Sequence, residues 1–250
     1  MKKQKNRQLA AQIPDTVSGK KTVVCLKWGT KYTAQYVNVL YNMIRRHSGY
    51  EFDFVCLTDD AHGLDARIQH RSLPNLNVQG WWYKPYVFSR DLRLQGDVLF
   101  LDLDLVIFAN LDKLWTYCPA NFCIIRDFTR HMNPTWRKFN SSVFRFPAKD
   151  YHWIWDEFVR DYKKITPKNH GDQDYLYSIL NQQARYWPDE WIQSYKWEMR
   201  DRSELGYVNG KRNFTHVKTP KVDPNCFIAV FHGEPNPHDC QDPWVINNWL

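Results

Sequence analysis

The chain has 250 residues, 43% of them hydrophobic and 24% charged, an ordinary balance for a folded protein that excludes long disorder, a collagen-like repeat and a disulfide scaffold. Its formal charge is +7, but residues 1–21 hold six Lys and Arg against Asp15 alone, so the remaining chain is nearly neutral. That is not the basic stripe of a nucleic-acid binder.

Residues 1–21 read as a flexible basic arm and residues 22–250 as one domain. Lys21 to Trp28 is a β-rich run that predicts the first strand, and Gly29-Thr30 breaks it. Thr33 is placed to cap a helix to about Arg46, with Tyr36, Leu40 and Ile44 on one face and Gly49 closing it. Phe52 to Leu57 predicts the second strand, and a third is expected around Ile68 to Leu73. A helix is expected from Tyr86 to Leu94. Asp97 to Leu101 has the strongest buried-strand pattern in the chain, and an apolar run resumes from Leu105 to Phe108. Further strands are expected at Phe122 to Arg126, Ser142 to Phe146 and Phe227 to Phe231, with helices at about 150–162 and 172–183. A βαβ start argues for a mostly parallel, Rossmann-like sheet flanked by helices. The C-terminal half reads as more irregular.

The six cysteines (Cys25, Cys56, Cys118, Cys123, Cys226, Cys240) contain no C-x-x-C pair, and three lie in apolar runs. They read as buried free thiols in a reducing compartment. The first eight residues are polar throughout, and no stretch of about 18 apolar residues exists. The expectation is a cytoplasmic protein that does not span a membrane.

Asp102-Leu103-Asp104 is the most informative feature. Two carboxylates two residues apart follow an apolar strand, and alternate strand residues share a face. Like charges held together cost energy unless a cation sits between them or one is protonated, and carboxylate oxygens suit a hard divalent ion. An ordinary polar strand end has the same local pattern. Two enzyme classes place an acid pair after a buried strand. In haloacid dehalogenase-type phosphohydrolases Asp102 would be the nucleophile, but about a hundred residues precede the motif here. Asp172 and Asp174 also open a helix rather than end a strand.

The other class is the nucleotide-sugar glycosyltransferases with a GT-A fold. In order, Trp81-Trp82-Tyr83-Lys84, Gly96 to Asp104, Asn140-Ser141-Ser142-Val143, Gly171-Asp172-Gln173-Asp174, Ser194-Tyr195-Lys196 and Phe231-His232-Gly233-Glu234-Pro235 resemble bacterial, family 8-related members, the glycogenin-like and galactosyltransferase-like enzymes. The resemblance spans residues 22 to 249. It implies a single GT-A domain that moves a sugar from a nucleotide-diphosphate donor, UDP-linked, to a hydroxyl of a glycan, glycolipid or other acceptor. It leans towards retention at the anomeric carbon.

By the same resemblance, Asp102, Asp104 and His232 would ligate Mn²⁺ or Mg²⁺, with Leu103 and Gly233 beside the donor diphosphate. Asp172 would bond sugar hydroxyls, Gln173 would stand near the anomeric carbon, and Asn140 would line the sugar or acceptor pocket. Lys27, Trp28, Gly29 and Tyr32 would surround the base. Asn236 stands where the family carries Lys or Arg, which leaves Lys84 and Lys196 to neutralise the diphosphate. The tryptophans suit sugar faces, with most expected in the core and a few on the acceptor side. The basic arm is expected to touch an anionic membrane, where a lipid-linked acceptor would wait. A non-enzymatic glycan- or nucleic-acid-binding module is the remaining alternative.

Overall fold

The computed structural model describes residues 19–78, 80–199, 206–208, 211–213 and 221–250. Residues 1–18 of the expected arm lie outside that set. Lys20 and Lys21 belong to the folded body instead: Lys20 pairs with Asp53 at 2.8 Å, and Lys21 opens the first strand, buried.

In chain order the first elements are β1 (Lys21–Lys27), α1 (Ala34–His47), β2 (Asp53–Thr58), β3 (Gln69–Ser72), β4 (Asp97–Leu101), β5 (Leu105–Ile107), α2 (Lys113–Thr116), β6 (Cys123–Arg126) and β7 (Phe139–Pro147). They are followed by α3 (His152–Ile165), α4 (Asp172–Leu180), β8 (Arg185–Tyr186), β9 (Ile192–Ser194), β10 (Gly206–Val208), β11 (Lys211–Asn213), β12 (Ile228–Val230) and α5 (Pro243–Asn248). The main sheet runs β3-β2-β1-β4-β7-β6-β8. Its β3, β2, β1 and β4 are mutually parallel, β7 is antiparallel to both neighbours, and β6 pairs parallel with β8. The mostly parallel α/β architecture expected from the sequence is therefore present.

Side-chain alternation along the central strands builds two cores. Val23, Cys25, Leu99 and Leu101 face α1, which buries Val37, Leu40, Met43 and Ile44 against them. Val24, Leu26, Val98 and Phe100 face the other way, onto α3, α4 and the Phe88, Phe122, Phe144 and Phe146 rings. All six cysteines are free, and every one except the half-buried Cys118 is buried.

Two expected details differ. The stretch from Tyr86 to Leu94 is not an α-helix but two 3-10 segments, Gly80–Phe88 and Arg90–Leu92. Pro85 removes a backbone donor inside the first segment, and the Ser89 side chain accepts from Asp91 N to start the second. Thr33 occupies the N-cap of α1, yet its hydroxyl makes no capping bond. Among the described residues, no helix is long and apolar enough to cross a membrane.

A second sheet, β5-β12-β9, positions the chemistry. β12 is antiparallel to β5, with Val230 opposite Leu105, and parallel to β9, with Val230 opposite Ser194. The residue before Leu105 and the residues after Val230 and Ser194 must then meet at one edge. The chain passes from the first sheet to the second between Leu101 and Leu105, which is where the acid pair lies.

Arg145 is fully buried on β7. Its Nη1 donates to Leu114 O at 2.7 Å and Trp115 O at 2.9 Å, and its Nη2 donates to Cys118 O at 2.7 Å. It satisfies the carbonyls where α2 ends. Arg145→Met should strand those acceptors and destabilise the protein by about 3 kcal/mol. An unchanged urea midpoint would show that these bonds carry no net stability.

Candidate active site

β4 carries the chain to Leu101, and Asp102 N then donates to Ser142 O at 2.8 Å, so Asp102 stays on the β7 ladder. Leu103 turns into the core at 2% exposure, and Asp104 returns to the side of Asp102. The expected Leu103 contact is thereby reduced to its backbone. Phe231 N donates to Asp104 O at 2.9 Å, which brings the end of β12, and His232 after it, alongside.

Asp102, Asp104, His232 and Gly233 line one open cleft of ≈ 320 Å³ together with Lys84, Asn140, Asp172 and Gln173. Residues from five separate stretches of the chain thus meet in one place.

Lys84 is the centre of this cleft's floor. It is 5% exposed, and its ammonium lies 3.0 Å from Asp102 Oδ1 and 3.4 Å from Asp172 Oδ2. It also donates to Ser141 O at 3.2 Å and Ser141 Oγ at 3.1 Å. Burial works against its charge, but Asp102 and Asp172 outweigh that and hold it above the ordinary lysine value. Asp172, at the first position of α4, is buried and accepts from Ser141 Oγ at 2.6 Å. Burial raises its carboxyl, opposed by Lys84. Lys84 is therefore committed to the carboxylates, not turned out towards a diphosphate.

Asp104 is balanced differently. Among the described residues no ion pair reaches it, and its bonded partner is the Tyr32 hydroxyl, 3.3 Å from Oδ2. Burial and the neighbouring Asp102 charge raise its carboxyl from 3.8 to about 6.

His232 Nε2 lies 2.6 Å from Ser194 Oγ, and the ring stacks on Phe128 at 5.2 Å. Burial, then the nearby Lys196 charge, lowers its imidazole to about 4, so it is neutral at pH 7. Ser194 is itself held, since its N–H donates to Glu198 Oε2 at 2.6 Å. Glu198 is raised to about 7 by burial, and it lies 3.1 Å from Arg130 and 2.8 Å from His131.

Among the described residues, no group of three His, Cys, Asp or Glu side chains is arranged to hold a metal ion. The expected trio of Asp102, Asp104 and His232 shares a cleft without forming such a cluster. Lys84 occupies Asp102, and the Ser194 hydroxyl occupies His232 Nε2. The donor types themselves, two carboxylates beside a neutral imidazole, still suit Mn²⁺ or Mg²⁺.

Gly233 has φ +81°, and a Cβ there would come within 3.0 Å of Lys196 Nζ. This places the 6%-exposed Lys196 directly behind the glycine turn. Gln173 Nε2 donates to Asp127 Oδ2 at 3.1 Å, whereas Asp174, also on the cleft wall, pairs with Lys138 at 2.8 Å.

The residues expected around a base divide. Trp28 and Gly29 line a second pocket of ≈ 520 Å³ with Asp59, Ser72, Asn75 and Tyr83, at the carboxyl ends of β1, β2 and β3. Lys27 does not line it, because its Nζ is drawn back to Asp60 O at 3.0 Å. Tyr32 belongs to Asp104 instead. The Gly80–Phe88 segment borders both pockets.

Asp127, Ser194 and Glu198 were given no role from sequence. Asp127 follows an apolar strand, Cys-Ile-Ile-Arg, as Asp102 does, and that pattern was a usable signal. Nothing local marks Glu198, whose charged partners Arg130 and His131 are remote in sequence.

No protein-family model matches the sequence, and no curated protein matches it either. Solved structures do match. The glycosyltransferase GlyE of Streptococcus pneumoniae TIGR4 is 17% identical with a TM-score of 0.55, over 68% of this chain and 46% of that one. The chain thus spans about half of GlyE. The galactosyltransferase LgtC, in complex with donor and acceptor sugar analogs, is 16% identical with a TM-score of 0.61, over 90% of this chain and 93% of that one. WbbM, a bifunctional glycosyltransferase, is 14% identical with a TM-score of 0.58, over 93% of this chain and 50% of that one. The fold is accordingly that of the GT-A glycosyltransferases, and none of these three is a phosphohydrolase.

Lys84 sits among three acids, so Lys84→Met should lower stability by about 3–5 kcal/mol near neutral pH. In the wild type its contribution is complete below about 10.5 and is lost only as pH rises through the higher folded value. In the variant the uncompensated carboxylates bind protons more tightly when folded, so the deficit should shrink from pH 8 to pH 5. A deficit independent of pH, measured by thermal melts across that range, would contradict this charge assignment.

Proposed function

We propose that the chain is a metal-dependent glycosyltransferase, moving a hexose from a UDP-linked donor to a hydroxyl of a glycan or glycolipid. The observation that carries this reading is one cleft holding Asp102, Asp104, Lys84, Asp172, Gln173 and His232, beside a second pocket at the carboxyl ends of parallel strands. Open α/β sheets bind nucleotides at such strand ends. The GT-A fold and the donor and acceptor sugar analogs bound by LgtC favour the same reading.

Trp28, Gly29 and Tyr83 would take the base. Asp102 and Asp104, with His232 on the same cleft, are the residues that would hold Mn²⁺ or Mg²⁺. The ion would supply positive charge for the diphosphate as it departs. Lys84 holds Asp102 and Asp172 in place. Asp172 would accept from sugar hydroxyls, and Gln173, held by Asp127, would stand at the reacting carbon. Ser194 fixes the His232 ring by taking Nε2, which leaves Nδ1 as the nitrogen for a ligand. Lys196, behind Gly233, would be the cation left for the diphosphate where Asn236 replaces the family's basic residue.

A thermal-shift panel of nucleotide sugars with and without Mn²⁺ tests the reading. A true donor at 100-fold its Kd should stabilise by about 2.7 kcal/mol. The reading falls if no nucleotide sugar shifts the melt and none is hydrolysed.

Asp104 titrates near 6 in the fold against 3.8 ordinarily, so between those values the folded form binds more protons. Its contribution to stability therefore falls as pH rises from about 4 to about 6. Asp104→Asn should melt at or above the wild type at pH 7 in EDTA, with the gain vanishing near pH 4. The variant should gain nothing from Mn²⁺ plus UDP. Equal nucleotide binding by the wild type in EDTA and in Mn²⁺ would remove the metal from the reading.

Asp172→Asn keeps the shape and the bond to Ser141 while losing charge, and Lys84 retains Asp102. Turnover should fall by about 10²- to 10³-fold with a small change in melting temperature. Preserved turnover with a collapsed melting temperature would make Asp172 a structural cap alone.

A further inference from the structure

Trp81 and Trp82 are adjacent and differ sharply in environment. Trp82 is buried and stacks on Phe158, ring centroids 6.0 Å apart at 15°, and so anchors the Gly80–Phe88 segment to α3. Trp81 is 52% exposed and stands at the wall of the acid cleft. Its indole lies against Gly171, the residue before Asp172. A Cβ on Gly171 would be 3.2 Å from Nε1 and 3.4 Å from Cδ1.

An indole left in water forgoes about 25 cal/mol per Å² of burial. Elsewhere the chain buries Trp115, Trp155 and Trp187. Among the described residues, the other large apolar side chains that are exposed, such as Met132, Ile246 and Leu250, do not line the cleft. Trp81 is thus the exposed apolar surface that the reacting groups share.

We propose that Trp81 is the stacking platform for a pyranose ring at the mouth of the cleft; this rests on the transferase reading above. A pyranose presents an apolar C–H face and a rim of hydroxyls. The cleft offers a matching pair of surfaces: one aromatic face, and the polar groups of Asn140, Asp172 and Gln173. The indole Nε1–H, next to Gly171, is a donor for a ring hydroxyl. A purely aliphatic ligand would leave those polar groups unpaired, and a nucleobase has the separate pocket at Trp28. The ring is either the hexose of the donor or the terminal sugar of the acceptor, and both present the same chemistry.

The test uses the full chain with Trp81→Ala and Trp81→Phe, each with Mn²⁺, against UDP, a UDP-hexose and a panel of methyl hexopyranosides. Trp81→Ala should hold UDP within about twofold of the wild type. It should lose about tenfold or more in one of two measurements. A loss in the preference for UDP-hexose over UDP identifies the donor ring, and a rise in KM for the methyl hexopyranoside identifies the acceptor ring. Trp81→Phe, which keeps an aromatic face, should recover most of the loss in either case. An active wild type with both quantities unchanged in Trp81→Ala overturns the platform and leaves the transferase reading standing. Should Trp81→Ala not fold, a Trp81→Gln variant lacking the ring decides by the same two measurements. A wild type that binds neither UDP nor any UDP-hexose overturns the transferase reading and the platform with it.

Discussion

One buried ammonium allows three carboxylates to share a small cleft. Two unit charges 4 Å apart interact by about 4 kcal/mol at an effective dielectric of 20, so Asp102, Asp104 and Asp172 together oppose folding unless something neutralises them. Lys84 lies within 3.4 Å of two of them. It can do so because the segment that carries it is pinned by the stack of Trp82 on Phe158 and shaped by Pro85. The same segment borders the pocket at the strand ends, so the position of one lysine couples the acid cleft to the neighbouring cavity. An arginine there would have to spread a planar fork where Ser141 and two carboxylates accept a compact head.

The topology explains why the acids are where they are. β4 ends in one sheet and β5 begins in another, so the linking residues are released from one ladder before joining the next. Only residues between the sheets can aim into a cleft while their backbone stays tied at both ends, as Asp102 is to Ser142 and Asp104 to Phe231. Leu103 between them supplies the anchor in the core. The alternation that places Leu103 inside is the alternation that places both carboxylates outside.

Much of this was legible in the chain. The β1–α1–β2 start, the run from Asp97 to Leu101 and the acid pair follow from apolar periodicity, because there local pattern and tertiary burial agree. Legibility ends where tertiary partners decide. Lys84 reads as easily as a surface lysine, since only folding brings Asp102 and Asp172 to it. His232 has the composition of a metal ligand, but nothing local announces that Ser194 occupies one of its nitrogens. Lys27 looked like a base-side residue because it ends β1, yet Asp60 O draws its head away. The segment from Tyr86 to Leu94 carried an apolar pattern compatible with a helix, and Pro85 with the Ser89 cap broke it into tighter turns.

The charge count in the cleft bears on what it awaits. Three carboxylates face one committed ammonium, since Asp174 is matched by Lys138 outside this group. Burial first, and then the charge of Asp102, raises the Asp104 carboxyl to about 6, and its bonded neighbour is a hydroxyl and not a cation. The excess of two negative charges equals the charge of one divalent ion. A diphosphate alone would add repulsion to this cleft, whereas a divalent ion and a diphosphate entering together would leave each charge with a partner. Such a site should hold nucleotide weakly without the ion and hold the ion weakly without nucleotide. On the transferase reading, that mutual dependence fits a cleft in which Asp102, Asp104 and His232 are not gathered into a metal cluster.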